Sequence, residues 1–217
     1  MTVPNDAIYG AAALVSYLVG AIPFGWLTAK AVKGIDLRTE GSGNIGATNA
    51  ARAIGTGWFA PIFALDFLKG FAPTFWLAPF VAKVWPCPIC PALEPVLMAT
   101  CGVAAMAGHL FPVYLSFKGG KGVATGAGVV FALSWLAGAA GAALWVVLFF
   151  GTRYVSIASV GAAIALPVAQ ATLDPGKPIR LALFVGIAAV VVWRHIGNLQ
   201  RLLRGEEPRV RIGTSKP

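Results

Sequence analysis

Long runs of apolar residues, separated by short polar segments, constrain this chain more than any other feature. A helix needs about 20 predominantly apolar residues to cross the hydrocarbon core of a bilayer. Hydrophobic residues make up 58% of the chain and charged residues 12%, against about 45–50% and 25% in soluble domains. The sequence therefore predicts an all-α, polytopic membrane protein. The apolar runs are 7–29, 54–84, 93–117, 122–151, 155–173 and 179–193.

The positive charge has a clear distribution along the chain. The net charge is +9, from 17 Lys and Arg against 8 Asp and Glu. Most of the basic residues lie in three polar segments, 30–52, 118–125 and 194–217. Because cytoplasmic loops are enriched in Lys and Arg, the three segments are predicted to face the cytoplasm. Basic residues placed between apolar runs indicate topology, so no nucleic-acid partner is expected.

The run 122–151 decides the number of spans. At 1.5 Å per residue it would be about 45 Å long as a helix, too long for one comfortable crossing. The second basic segment and the tail both lie inside, so an even number of spans must separate them. A split near 138–141 satisfies this condition. The prediction is seven transmembrane helices, some short, with the N-terminus outside and the C-terminus cytoplasmic, in one domain over 1–217. A five-span arrangement that fuses some runs is the alternative.

The N-terminus and the cysteines add two further expectations. Residues 1–6 carry no basic region, so a removed signal peptide is not expected. Cys87 and Cys90 lie in WPCPICP, predicted on the outer side. They are incidental thiols in a proline-stiffened loop, a disulfide, or a redox pair. Cys101, inside an apolar run, is expected to serve packing. Without a second Cys pair or an acidic cluster, no metal site is expected.

The first basic segment contains GSGNIG at 41–46. This matches the dinucleotide pattern G-x-G-x-x-G, but the strand and βαβ context that the pattern requires are absent. Glycines still let backbone N–H groups approach an anion closely. Anion binding is therefore favoured over a merely solvated turn. The polar residues that accompany the glycines are Ser42, Asn44, Thr48, Asn49 and Arg52.

The second basic segment, KGGKG at 118–122, is predicted to start a helix. Free N–H groups and the helix dipole favour a phosphate at such a position, and Thr125 lies one turn further on. The alternative is a basic hairpin that only sets topology. His109, in the preceding apolar run, either orients this loop or touches a substrate. Asp66 and Lys69 are one helical turn apart and are expected to neutralise each other.

The third basic segment, RHIGNLQR at 194–201, places His195, Asn198 and Arg201 on roughly one helix face. Histidine is the side chain suited to proton transfer near neutral pH. A catalytic and a purely structural role for His195 remain equally open on this pattern. Glu206 and Glu207 are expected to pair with the arginine-rich tail.

Taken together, GSGNIGATNAAR, GHLFPVYLSFKGGKGVAT and RHIGNLQRLLRGEE resemble the three signature segments of the bacterial acyl-phosphate:glycerol-3-phosphate acyltransferases, the PlsY family. LDFLKG at 65–70 extends the resemblance. The resemblance implies a seven-span bacterial inner-membrane enzyme whose active site faces the cytoplasm. Its reaction would move a fatty acyl group from acyl phosphate to glycerol-3-phosphate, giving 1-acyl-glycerol-3-phosphate (lysophosphatidic acid) and inorganic phosphate. This is the first acylation in phospholipid synthesis, and no cofactor is expected.

The resemblance also implies residue roles. Ser42 and Arg52 would form an essential polar pair, the loop 119–122 would bind glycerol-3-phosphate, and His195 and Asn198 would be needed for activity. Glu206 and His109 are assigned structural roles. The catalytic set is predicted to be Ser42, Arg52, Lys121, His195 and Asn198. The substrate- and phosphate-binding set is predicted to be Gly43, Asn44, Asn49, Gly119, Gly120, Gly122 and Thr125.

The chemistry such residues could perform is direct transfer. An acyl phosphate is already activated, so catalysis reduces to holding two phosphates and aligning a hydroxyl with a carbonyl. Either His195 or an oxygen of the acyl phosphate would take the proton, with the second favoured. The expected partners are glycerol-3-phosphate, acyl phosphate and membrane lipids, with the chain as a monomer. A transporter of a phosphorylated metabolite is the competing class, although no inverted repeat is visible.

Overall fold

The structure is a computed structural model that describes residues 5–85 and 93–210, and throughout these ranges the ordered elements are helical, with no strand. The predicted all-α class is confirmed. A π-helical turn, Pro73–Leu77, joins the helices Phe59–Ala72 and Ala78–Val84. The helices are α1 (Asn5–Ala21), α2 (Phe24–Lys33), α3 (Ala47–Ile54), α4 (Phe59–Ala72), α5 (Ala78–Val84), α6 (Leu93–Leu110), α7 (Val123–Leu133), α8 (Trp135–Thr152), α9 (Val155–Leu173), α10 (Pro178–Arg194) and α11 (Ile196–Leu203).

Four helical segments in the described ranges are long and apolar enough to cross a membrane. They are Ala7–Lys33, Glu94–Leu115, Trp135–Thr152 and Val155–Leu173. A fifth is obtained if α10 and α11, which meet at 50°, count as one span. The chain is therefore an integral membrane protein by length and composition of its helices. The loop with Cys87 and Cys90 lies outside the described residues, whereas Cys101 is a buried free thiol.

The long apolar run is divided as expected, but the predicted position of the split, near 138–141, is wrong. The break falls at Ser134, whose backbone is extended between α7 and α8. Its hydroxyl oxygen accepts a hydrogen bond from the Ala137 N–H at 3.4 Å and caps α8. Gly141 stays helical because it serves packing: a Cβ there would lie 2.9 Å from a Leu166 methyl carbon. The 11 residues of α7 span only about 16 Å.

Backbone contacts divide the chain into two compact units, Met1–Leu133 and Ser134–Pro217. In the first unit, α1 packs on α6 and α4 packs on α7. A Cβ on Gly20 would overlap the Ala105 carbonyl, and one on Gly70 would overlap the Thr125 carbonyl. Close approach of helix backbones through glycine is typical of membrane helices. Their association depends on van der Waals packing, because the surrounding lipid is as apolar as the helices.

In the second unit, α8 packs on α9 and α9 packs on α10. The chain after α11 returns to the turn between α8 and α9. The Val210 N–H donates to the Arg153 carbonyl at 2.9 Å, and the Arg209 guanidinium lies 5.0 Å from the centre of the Tyr154 ring. The C-terminal basic segment is thus folded against its own unit up to Val210. The prediction of a single domain stays a prediction.

Candidate functional site

The loop between α2 and α3 is organised by the buried amide of Asn49. Its Oδ1 accepts a hydrogen bond from the Ser42 N–H at 3.1 Å. Its Nδ2 donates to the carbonyls of Leu37 at 3.2 Å and Glu40 at 2.9 Å. One side chain therefore ties both halves of the loop to α3. Asn49, predicted to bind substrate, is placed where it shapes the backbone that presents Ser42.

Glycine is required at two positions of this loop. Gly41 and Gly43 have φ of +54° and +68°, a region that residues with a Cβ adopt rarely. A Cβ on Gly41 would also lie 2.5 Å from Asn49 Oδ1. Asn44 Oδ1 then accepts from the Gly46 N–H at 2.8 Å, and α3 begins at the next residue. The glycines predicted from sequence thus serve the local turn geometry.

The loop and the helix α3 that follows it each carry an arginine, and the two arginines differ in their pairing. Arg38 and Asp36 form an ion pair of 2.6 Å, and the Arg38 hydrogen bonds hold the pKa of the Asp36 carboxyl well below its usual range. Arg52 lies exposed in the last turn of α3. Within the described ranges no carboxylate forms an ion pair with Arg52. Its guanidinium is therefore suited to an anionic ligand.

The glycine loop, defined here as residues 119–122, wraps around the C-terminal end of α6. The Gly120 N–H donates to the His109 carbonyl at 3.1 Å. A Cβ on Gly120 would overlap Nε2 of the buried His109 ring and lie 2.9 Å from Cε1. A Cβ on Gly119 would overlap the His109 and Leu110 carbonyls. No side chain fits at either position, and the partly buried Lys121 follows at once.

A group of buried polar residues lies next to this loop, on α4, α6 and α7. Lys69 Nζ is 2.7 Å from Asp66 Oδ1 and donates to the Ile22 carbonyl, at the break between α1 and α2, at 2.7 Å. His109 Nδ1 lies 4.0 Å from Asp66 Oδ1. Thr125, fully buried, donates to the Asp66 main-chain carbonyl at 2.9 Å. The predicted neutralisation of Asp66 by Lys69 is confirmed.

In the second unit, His195 occupies the bend between α10 and α11 and is buried. Its Nδ1 is 2.7 Å from the Val191 carbonyl oxygen. A carbonyl oxygen can only accept, so Nδ1 is the protonated nitrogen of this ring. In the neutral form Nε2 is then the basic nitrogen. One turn into α11, Asn198 Nδ2 donates to Glu207 Oε1 at 2.7 Å.

The carboxylate that orders this segment is Glu207. Arg201 Nε donates to Glu207 Oε2 at 3.0 Å, and only 6% of the Glu207 side chain is exposed. Burial tends to raise the pKa of Glu207, but the hydrogen bonds to its carboxylate, that of Asn198 first, together with the Arg201 charge outweigh burial and place the pKa below its ordinary value. Glu206, assigned the structural role from sequence, has a side chain that is 57% exposed and pairs with Arg204 at 2.8 Å.

The sequence predicts that Glu206 and Glu207 both pair with the arginine-rich tail, and it does not indicate which of them is buried. The chain turns at Gly205, which has φ of +72°, so only the folded structure shows which of two consecutive glutamates faces α11.

The two units divide the predicted catalytic residues between them. Ser42, Arg52 and Lys121 belong to the first unit, and His195 and Asn198 belong to the second. Among the residues that the structure describes, no three His, Cys, Asp or Glu side chains are grouped so that they could hold a metal ion.

Known proteins similar to this chain agree on one family. The family model described as glycerol-3-phosphate acyltransferase matches residues 10–205. A glycerol-3-phosphate acyltransferase of Erythrobacter litoralis is 44% identical over 92% of this chain and 93% of its own length. That of Aquifex aeolicus is 41% identical over 90% and 96%.

Solved structures give the same result. A crystal structure of PlsY, an integral membrane glycerol 3-phosphate acyltransferase, in its glycerol 3-phosphate form has a TM-score of 0.81 and 39% identity, covering 94% of this chain and 96% of that chain. The lysophosphatidic acid form has a TM-score of 0.78 and 38% identity, covering 94% and 95%.

Proposed function

We propose that this chain, which belongs to the glycerol-3-phosphate acyltransferase family, transfers a fatty acyl group from acyl phosphate to glycerol-3-phosphate. The products are lysophosphatidic acid and inorganic phosphate, and the reaction is the first acylation in phospholipid synthesis. The observation that carries the proposal is the likeness to PlsY in forms with glycerol 3-phosphate and with lysophosphatidic acid, a substrate and a product of this reaction.

The geometry of the two glycine-rich loops supports this function. Each combines glycines whose positions disfavour a Cβ with a cation close in sequence, Arg52 on α3 in one case and Lys121 in the other. Backbone N–H groups and fixed cations are the groups that bind phosphate dianions. In our proposal, Lys121 and the glycine loop hold glycerol-3-phosphate, while Ser42 and Arg52 hold the phosphate of the acyl donor.

The chemical step is direct transfer. The glycerol-3-phosphate hydroxyl oxygen attacks the acyl carbonyl carbon, and the bond from that carbon to the phosphate oxygen breaks. The hydroxyl proton passes to an oxygen of the departing phosphate, so the products are an ester and inorganic phosphate. Arg52, which holds the donor phosphate, stabilises the negative charge as it moves onto the leaving group, and Lys121 neutralises the phosphate of glycerol-3-phosphate. His195 and Asn198 orient the substrates, the first through its basic Nε2 and the second from a position fixed by Glu207.

The membrane arrangement in this proposal has seven spans. They are α1, the continuous segment from α4 to α5, and α6, α7, α8, α9 and α10. The N-terminus lies outside, and the basic segments and C-terminus face the cytoplasm of a bacterial inner membrane. The acyl chain of the donor lies in the bilayer, so an enzyme of this size is embedded next to its substrate. The chain acts as a monomeric single domain.

Donor preference tests the proposal directly. Purified protein receives labelled glycerol-3-phosphate with acyl phosphate, acyl-CoA or acyl-carrier protein. Lysophosphatidic acid forms from acyl phosphate and not from either thioester. Formation from a thioester alone would refute the donor assignment. Uptake of glycerol-3-phosphate into liposomes without acylation would indicate a transporter instead.

A further inference from the structure

Asp66 and Lys69 form a charged pair that the proposed chemistry does not use. Both residues are 3% exposed, in a helix of an integral membrane protein. Buried charges are costly even when they are paired, and well-packed apolar residues of the same size are often at least as stabilising. The stability of α4 therefore does not by itself explain a charged pair at this position.

The contacts of Asp66 lead to both sides of the glycine loop. Its carboxylate lies 4.0 Å from Nδ1 of His109, whose carbonyl accepts from the Gly120 N–H and whose ring fills the space where a Gly120 Cβ would be. Its main-chain carbonyl accepts from the Thr125 hydroxyl, in the first turn of the helix that follows the loop. Asp66 therefore contacts both His109, which packs against the middle of the loop, and Thr125, which follows its end.

Lys69 completes the arrangement. Its ammonium neutralises Asp66 and also donates to the Ile22 carbonyl, at the break between α1 and α2. This carbonyl also accepts from the Phe24 N–H at 3.2 Å, and the ammonium is its second donor at the end of α1. The group therefore joins four helical segments at the level of the glycine loop.

We propose that Asp66 is a positioning residue for the glycine loop: through His109 and Thr125 it fixes the loop in the conformation that receives a phosphate before substrate arrives. The inference rests on the proposed function in one respect, that residues 119–122 bind the phosphate of glycerol-3-phosphate. Asp66 itself touches no substrate in this account. Asp66 preorganises the loop, so its removal is expected to change the affinity for glycerol-3-phosphate and not the rate of acyl transfer.

Thr125 offers the cleanest variant, because Thr125→Val removes one hydrogen bond with little change in volume, whereas Thr125→Ser retains it. Thr74→Val is the matched control. Thr74 is also fully buried, and its hydroxyl donates to the Gly70 carbonyl at 2.9 Å, the same length as the Thr125 bond, within the segment that carries Asp66. Both partners of the Thr74 bond lie in the segment from Phe59 to Leu77, and neither belongs to residues 119–122.

Two measurements are made on purified full-length protein. The first is amide hydrogen exchange of the peptide that covers residues 119–122, without substrate. The second is the KM for glycerol-3-phosphate together with kcat. Thr125→Val is expected to raise loop exchange and KM about fivefold and to leave kcat within about twofold, since a typical net hydrogen bond is worth roughly a factor of five. Thr125→Ser stays within about threefold of wild type, and Thr74→Val leaves both values unchanged.

The charged pair is tested with Asp66→Asn/Lys69→Met, which removes both charges together and avoids a buried unpaired ion. It is expected to raise loop exchange and KM in the same direction. Equal loop exchange in Thr125→Val and Thr74→Val would overturn the inference, whether or not the double variant folds. Hydrogen exchange is measured without substrate, so it tests the inference independently of the proposed function. Failure of the proposed function would instead appear as wild-type protein that makes no lysophosphatidic acid.

Discussion

Substituting Gly120 by alanine probes the glycine loop at its tightest point. The added Cβ would meet the His109 ring: it overlaps Nε2 and lies 2.9 Å from Cε1 and 3.2 Å from Cδ2. A comfortable carbon contact needs about 3.5–4.0 Å, so the ring or the loop must move by on the order of 1 Å. Overpacking of this kind costs about 1–3 kcal/mol. If the loop takes up the displacement, the KM for glycerol-3-phosphate rises about 5- to 150-fold.

The assay is initial rate against glycerol-3-phosphate concentration at saturating acyl phosphate, with the melting temperature measured in the same detergent. Gly151→Ala is the control, because nothing lies within 4 Å of a Cβ at that position; its KM stays at the wild-type value. The second-site variant His109→Ala removes the obstructing ring. His109→Ala/Gly120→Ala should therefore have a lower KM than the two single effects multiplied together. Effects that multiply, with coupling below about 0.5 kcal/mol, would refute the reasoning, as would an unchanged KM in Gly120→Ala.

Three further predictions follow from named contacts. Glu207→Gln should lower stability by about 1–3 kcal/mol, while Glu206→Gln, at an exposed side chain, leaves the melting temperature unchanged. The folded-state pKa of Glu207 is lowered from its ordinary value of 4.5. The ionised carboxylate therefore stabilises the fold above pH 4.5, and this contribution is lost as the pH falls through the folded-state pKa. The melting temperature of Glu207→Gln should consequently depend less on acid pH than that of the wild type. Lys121→Met should raise the KM for glycerol-3-phosphate, with Lys177→Met, at an exposed lysine, as the control that keeps the wild-type value. Asn49→Ala removes three hydrogen bonds, about 3 kcal/mol at roughly 1 kcal/mol each, and hydrogen exchange over residues 37–42 should rise while exchange in α9 does not.

Helical class and membrane character could be predicted because they depend on the length and polarity of whole segments. The division of the run 122–151 was also foreseen, since its length exceeds a span. The position of the break was not. The break depends on one hydroxyl, that of Ser134, which caps α8. The glycines at 138 and 141 suggest a helix break in the sequence, but Gly141 is helical and packs against Leu166.

The candidate site shows a similar limit. The glycines and cations could be predicted as phosphate-binding groups because their residue types alone suit phosphate. The long-range hydrogen-bond partners of the polar side chains could not be predicted. The hydrogen bonds of Asn49 to Leu37 and Glu40, and of Thr125 to Asp66, depend on how the chain turns between them. A sequence pattern suggests that a polar side chain has a role, but it does not distinguish a contact with substrate from a contact with the backbone.

The stoichiometry of the reaction tests the central claim most directly. Purified protein in detergent or nanodiscs is mixed with labelled glycerol-3-phosphate and acyl phosphate, and lysophosphatidic acid and inorganic phosphate are measured in the same samples. Direct transfer predicts equal amounts of the two products at every time point. Phosphate release without lysophosphatidic acid, or no turnover of acyl phosphate by folded protein, would contradict the account.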